Sequence, residues 1–304
     1  MRSLRTVLVA VATVGEPEGC EAAVQALVRQ RVPEDMELSV LVVDNNRRPQ
    51  RYDLPADVNV VHEPEPGIGA ARNAAIDVAL GSGADVLSFI DDDELPVQET
   101  WLATLVEGLE ELPADVTTGP VDRAFEEAVP AWAAAHPLFR RRRYTTGTVR
   151  PRAATGNVAI RTDALRASGL RFDERLGLVG GEDTEWSRRL VAAGYTIRWV
   201  AEAEVLERVP ASRATVRWIL KRSWRIGANR IERRRLETPG DKPLVLLIAG
   251  ACGEVALGTV GGLLLAVPSR RLALVAVGRA ARGLGCLAAA VGFEYREYEG
   301  RSIG

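Results

Sequence analysis

The sequence predicts an α/β protein: a mostly parallel, doubly wound sheet with helices on both faces, followed by an apolar helical region. Three observations lead there. Near-continuous apolar, β-branched runs recur along the first half, separated by helix-patterned stretches, as in strands buried on both faces. Three of these runs end in polar or acidic residues. After Pro239-Gly240 the composition turns almost wholly apolar.

Val7 to Val11 is the first strand, closing on Ala12-Thr13, and Gly19 to Arg31 carries a helical pattern through Ala23, Leu27 and Val28. Leu38 to Val43 is the second strand, ending at Asp44-Asn45, and Val58 to Val61 is the third. A small-residue helix follows from about Ile68 to Leu80. Val86 to Ile90 is the fourth strand, ending in Asp91-Asp92-Asp93-Glu94, and the next helix spans roughly Val97 to Leu112. Val116 to Val121 reads as a fifth strand, Phe125 to Arg152 as irregular chain, and Thr155 to Ile160 as a strand. Gly180-Gly181-Glu182-Asp183 opens a helix whose Trp186, Leu190 and Ala193 share one face. Ser212 to Arg235 is a strongly basic helix.

Two domains are expected: residues 1–238, and an apolar helical, membrane-associating region at 239–304. Leu244 to Val267 is interrupted by Glu254, and Leu272 to Phe293 contains Arg279 and Arg282. Each stretch is about long enough to span a bilayer. Charges are expensive at mid-membrane, so a re-entrant or interfacial hairpin competes with spanning. A helical hairpin packed on the sheet is the third alternative. The basic helix just ahead favours the cytoplasmic face of a membrane.

Composition narrows the function. Apolar residues make up 47% and charged residues 26%, enough for a buried core. A net charge of −2 argues against a nucleic-acid-coating protein. Cys20, Cys252 and Cys286 are far apart and form no C-x-x-C pair, so no disulfide framework or zinc site is expected. Met1 to Arg5 runs straight into a strand without a signal core, so the amino-terminal part is expected in the cytoplasm.

Ligands of open parallel sheets bind beyond the carboxyl ends of the strands. Thr13, Asp44-Asn45 and Asp91 to Glu94 all fall there. Two like charges 4 Å apart repel by about 4 kcal/mol at an effective dielectric near 20. Such an acidic cluster favours a bound cation, and carboxylate oxygens suit magnesium or manganese bridging to a diphosphate. A solvated acidic turn is the bland alternative. Gly67 to Asn73 opens a helix with bare backbone and Arg72, a setting that attracts phosphate. No G-x-x-x-x-G-K-[ST] occurs, which disfavours a P-loop.

In order, these fragments resemble glycosyltransferase family 2, inverting enzymes of the GT-A fold that use nucleotide-sugar donors. The resemblance rests on the first strand to Thr13, V-V-D-N at Val42–Asn45, G-I-G-A-A-R-N at Gly67–Asn73 and F-I-D-D-D-E at Phe89–Glu94. It continues through T-G-N at Thr155–Asn157 and G-G-E-D-T-E-W at Gly180–Trp186. It covers about residues 5 to 235 and is nearest to exopolysaccharide glucosyltransferases acting on lipid-linked acceptors.

The resemblance implies a role for each position. Asp44 meets the nucleotide base with Thr13 nearby, and Arg72 lies near the nucleotide or its diphosphate. Asp91 faces the ribose and, with Asp93, the metal, while Asn45 and Asp92 complete the donor-binding set. Asp183 is the catalytic base, with Glu182 beside it. The implied partners are a nucleotide-sugar donor, a glycan, lipid-linked or small-molecule acceptor, a divalent cation (Mg2+ or Mn2+) and a membrane surface. Where many relatives carry a histidine after the catalytic helix, this chain reads Val205-Leu206-Glu207, which leaves any third metal ligand open. A sugar-phosphate nucleotidyltransferase and a catalytically silent, membrane-attached nucleotide-sugar-binding protein are the rivals.

Overall fold

The computed structural model describes residues 5–140, 142–176, 180–236, 244–267 and 269–293. Two compact units emerge among the described residues: one holds those within 5–122 and 142–208, the other those within 123–140 and 209–293. The expected domain boundary at 238/239 lies outside the described residues.

In the first unit, β1 (Arg5–Thr13) lies between β2 (Met36–Asp44) and β4 (Val86–Asp91), parallel to both, and β3 (Asn59–His62) extends the parallel edge beside β2. On the other side of β4 comes β8 (Asn157–Arg161), then β6 (Val116–Thr118) and β9 (Ile197–Trp199). β8 is antiparallel to both of its neighbours, whereas β6 and β9 pair in parallel. The sheet is therefore mostly parallel, with one reversed strand.

Alternation along β1 explains why both faces need cover. Val7, Val9 and Val11 enter one core with α1 (Pro17–Leu27) and α3 (Trp101–Glu111). Leu8, Ala10 and Ala12 enter the other with α2 (Ile68–Ser82), α5 (Thr162–Ser168) and α6 (Glu182–Ala192). α1 begins with Pro17 in its first turn and buries Cys20, Ala23, Val24 and Leu27, one stripe at helical spacing. α2 is built of small residues because it packs close: a Cβ on Gly69 would lie 3.3 Å from the Glu174 Cα.

Two short strands depart from the sequence reading. The expected strand Val116–Val121 is split, because β6 ends at Thr118 and β7 (Val121–Phe125) joins a second, three-stranded sheet. At the break the chain passes so close to Ala203 that only glycine fits: a Cβ on Gly119 would sit 2.1 Å from the Ala203 carbonyl oxygen. The acidic run is no simple turn either. Glu94 opens β5 (Glu94–Pro96), which pairs antiparallel with β10 (Val205–Val209) and sets Glu207 opposite Glu94.

Asn157, fully buried on β8, fastens this region. Its Nδ2 donates to the carbonyls of Pro120 (2.9 Å) and Ala203 (2.7 Å), and its Oδ1 accepts from Trp101 Nε1 at 3.0 Å. Asn157→Ala leaves the buried Ala203 carbonyl and Trp101 Nε1 unmatched, while the Pro120 carbonyl still accepts from Val205 N at 3.0 Å. Urea denaturation should show a loss of about 3–5 kcal/mol, and a loss below about 1 kcal/mol would mean that water replaces the amide.

In the second unit, α9 (Arg270–Ala290) packs against both α7 (Val216–Leu236) and α8 (Leu244–Leu265). The glycines of the apolar stretches mark backbone contact. A Cβ on Gly285 of α9 would lie 2.0 Å from the Trp224 carbonyl oxygen of α7, and one on Gly258 of α8 would lie 2.4 Å from Ala280 N of α9. Two of the charges that interrupt the apolar runs meet, with a third from α7: Glu254 accepts from Arg282 Nε and from Arg230 Nη1, each at 3.0 Å. The outer side of α8 stays bare, with Leu263 74% and Leu264 71% exposed.

Candidate active site

The residues singled out in the sequence converge where β1, β2 and β4 end. Thr13 and Asp44 are register partners across β1 and β2, and Asp91 pairs with Ala12 on the other side of β1. One parallel sheet edge thus carries a hydroxyl and two carboxylates.

Asp44 is buried. Its Oδ1 accepts from Asn46 N (3.1 Å) and Asn46 Nδ2 (2.7 Å), and its Oδ2 accepts from Gln50 N at 2.7 Å. Asn45 fastens the turn that leads into α2: its Nδ2 donates to the Glu63 and Glu65 carbonyls (2.9 and 2.7 Å), and its Oδ1 accepts from Gly67 N at 2.9 Å. Thr13 Oγ1 donates to Asp92 Oδ2 at 2.7 Å and so ties β1 to the acidic run.

Arg72 is the hub. Its side chain is only 5% exposed, yet Nη1 reaches Glu182 Oε1 at 2.5 Å and Nη2 reaches Asp91 Oδ1 at 3.1 Å. Burial alone would lower the guanidinium's pKa, but Asp91, Glu182 and Asp183 outweigh it and raise it, so the charge stays. Burial lifts the Glu182 carboxyl above its usual range; Arg72 opposes the lift and Asp183 adds to it. Asp183 itself is partly exposed, and its Oδ1 accepts from Thr184 N at 2.6 Å. Gly180 and Gly181, at φ 87° and 97°, occupy the left-handed region that L side chains avoid.

Two contributors stood in the sequence without an assigned role. Glu94 is 4% exposed and pressed against the T-G-N segment, since a Cβ on Gly156 would lie 2.3 Å from Glu94 Oε2. Burial, then Asp91, Asp93 and Glu207, holds its carboxyl well above the usual carboxylate range. Asn73 grips the chain ahead of α6: Nδ2 donates to Phe172 O at 3.0 Å, and Oδ1 accepts from Phe172 N at 2.8 Å. Glu94 belonged to the quoted acidic motif, and Asn73 to the glycine-rich one. Among the described residues, no three His, Cys, Asp or Glu side chains form a ready-made cation cage.

Comparison with known proteins gives this edge its context. The chain is 34% identical over 233 residues to the succinoglycan biosynthesis protein ExoM of Rhizobium meliloti (strain 1021), covering 72% of each chain. In fold it is similar to the mannosyltransferase PcManGT from Pyrobaculum calidifontis in complex with GDP-Man and Mn2+. That match has a TM-score of 0.55 at 18% identity, over 92% of this chain and 86% of the other. GalNAc-T7 with UDP, GalNAc and Mn2+ matches at TM-score 0.53 and 17% identity, over 79% and 53%. The family model described as glycosyl transferase family 2 matches residues 8–169. That span runs from β1 through the acidic run and β8, and the nucleotidyltransferase reading falls with it. The chain belongs to glycosyl transferase family 2 and is a glycosyltransferase.

Proposed function

We propose that the protein moves one sugar, with inversion, from a nucleotide-sugar donor to a hydroxyl of a growing exopolysaccharide carried on a lipid. The observation that carries this reading is the Arg72 bridge, which places the first turn of α6, with Asp183, beside the acidic end of β4. The similarity to a succinoglycan biosynthesis protein supports the exopolysaccharide class, and the nucleotide-sugar complexes of the structural neighbours support the donor class.

In the proposed reaction the donor's base lies by Asp44 and Thr13, and its diphosphate lies over the Asp91–Asp93 edge. An acceptor hydroxyl attacks the anomeric carbon from the face opposite the diphosphate. Its proton passes to the Asp183 carboxylate, the new carbon–oxygen bond forms, and the nucleoside diphosphate leaves with the bonding electrons. Partial exposure of Asp183 keeps it reachable by an acceptor. The donor set at the strand end fits a divalent cation: Asp91 and Asp93 offer hard oxygens, and such ions complete their shell with phosphate oxygens and water. When bound, the cation offsets the charge of the departing diphosphate. A screen of nucleotide sugars for donor turnover tests the class, and no turnover of any donor by the full chain would reject it.

The second unit we assign to a membrane surface on its cytoplasmic side, with the amino-terminal glycosyltransferase domain followed by this helical part. α8 and α9 are both long and apolar enough to cross a bilayer, with mean hydropathies of 1.9 and 1.5 over their 18-residue apolar segments. α8 is the better lipid-facing candidate, because only 11% of its most apolar window is buried, against 39% for α9. Removing everything after Pro239 would strip α7 of α9, so surface substitutions are the cleaner test. The full chain should sediment with anionic vesicles. The combined Leu257→Ser, Val260→Ser, Leu263→Ser and Leu264→Ser variant should stay in the supernatant, each leucine or valine forfeiting about 1.5–3 kcal/mol of burial in lipid. Equal sedimentation of both proteins would reject α8 as the contact.

A further inference from the structure

Resting on the reading of Asp183 as the base, we propose that Arg72 is a positioning residue. It ties Asp91, at the end of β4, to Glu182, the first residue of α6, and so fixes the Asp183 carboxylate beside the donor edge. On this proposal Glu182 is the anchor of Arg72 and not a second base.

The surroundings of the guanidinium support this. Its two terminal nitrogens hold two different carboxylates. Its carbon sits 5.7 Å above the centre of the Phe172 ring. That ring stacks on Trp186 of α6, with centroids 5.1 Å apart, and meets Phe89 of β4 edge-on at 6.1 Å. Arg72 thus occupies the corner where α2, β4 and α6 meet. A fork of fixed donors suits two carboxylates at once, which a point charge does not. A diphosphate reaching this guanidinium would have to displace one of them.

The start of α6 needs such a brace. It follows two successive glycines at positive φ, and the residue before the helix contributes no side-chain cap. A turn later, Glu185 is held by Arg189, whose Nη2 also donates to the Arg171 carbonyl at 2.6 Å. Glu182 and Arg72 provide the corresponding hold at the first turn, one residue from Asp183. Small displacements of a reacting group are costly, since a shift of about 1 Å can lower turnover about 100-fold.

The test uses the full chain and its Arg72→Met, Glu182→Ala and doubly substituted variants. UDP and GDP, each with Mn2+, serve as calorimetric probes of the nucleotide site, and donor turnover gives kcat. We expect each single substitution to lower kcat about 100-fold while nucleotide Kd stays within about threefold of wild type. The double variant should be no worse than the worse single, because the two residues act through one contact. Millimolar guanidinium should restore turnover to Arg72→Ala and not to Arg72→Ala/Glu182→Ala. A Kd that weakens as much as kcat falls would make Arg72 a donor ligand and overturn the proposal, as would multiplicative losses or wild-type turnover. If the Arg72 variants fail to fold, Glu182→Ala and Glu182→Gln decide together. Alanine removes the contact and should lower kcat without a change in Kd, whereas glutamine, which still accepts from Arg72, should keep most of the turnover; equal losses in both would make Glu182 a base and overturn the proposal. Failure of the underlying reading looks different: Asp183→Asn would then turn over normally while Arg72→Met does not.

Discussion

Asp183→Asn is expected to fold, to bind nucleotide as the wild type does, and to lose sugar transfer by about 100-fold or more. Asparagine matches aspartate in shape and can still accept the Thr184 amide hydrogen that Asp183 Oδ1 accepts now. It cannot take the acceptor's proton. A structural role for Asp183 therefore survives this change and a chemical role does not. Glu182 offers the contrast, since it is buried against Arg72 and its loss acts on geometry. Circular dichroism, nucleotide calorimetry and donor turnover on one preparation separate the cases. Near-normal transfer by Asp183→Asn would remove it as the base.

Chelation should have the next largest effect. Nucleotide affinity should fall by about a thousandfold in excess EDTA and return with Mg2+ or Mn2+. The magnitude follows from charge: a diphosphate oxygen about 4 Å from an uncompensated carboxylate costs about 4 kcal/mol at an effective dielectric near 20. Arg72 offsets part of the charge of Asp91, and Thr13 donates to Asp92, but a diphosphate adds further negative charge to the same edge. Asp93→Ala should mimic the chelator. Equal affinity with and without EDTA, or an unaffected Asp93→Ala, would remove the cation from the scheme.

Much of the site was legible in the sequence because parallel sheets bring strand ends together. Val7–Val11, Leu38–Val43 and Val86–Ile90 are long apolar runs, and their order alone set Thr13, Asp44 and Asp91 on one edge. Short elements escaped. β5 and β6 are three residues each, too short for periodicity, and β5 begins inside an acidic run that reads as a turn. The role of Glu94 went unseen for the same reason: only pairing with β10 turns it inward beside Gly156. The Arg72–Glu182 bridge was illegible for a different reason. The two residues stand 110 positions apart, and an arginine in a glycine-rich helix start suggests phosphate before it suggests a carboxylate in another helix.

The Glu254 pair of bonds bears on the order in which the chain is made. Arg230 precedes Glu254 by 24 residues, whereas Arg282 follows it by 28. A nascent chain that has just released α8 carries a carboxylate with one of its two cations, and the second arrives only past the midpoint of α9. Until then the contacts of Gly258 and Gly283 across α8 and α9 are also missing. α8 therefore completes its packing within the protein only once α9 has emerged, after the first unit has already been translated.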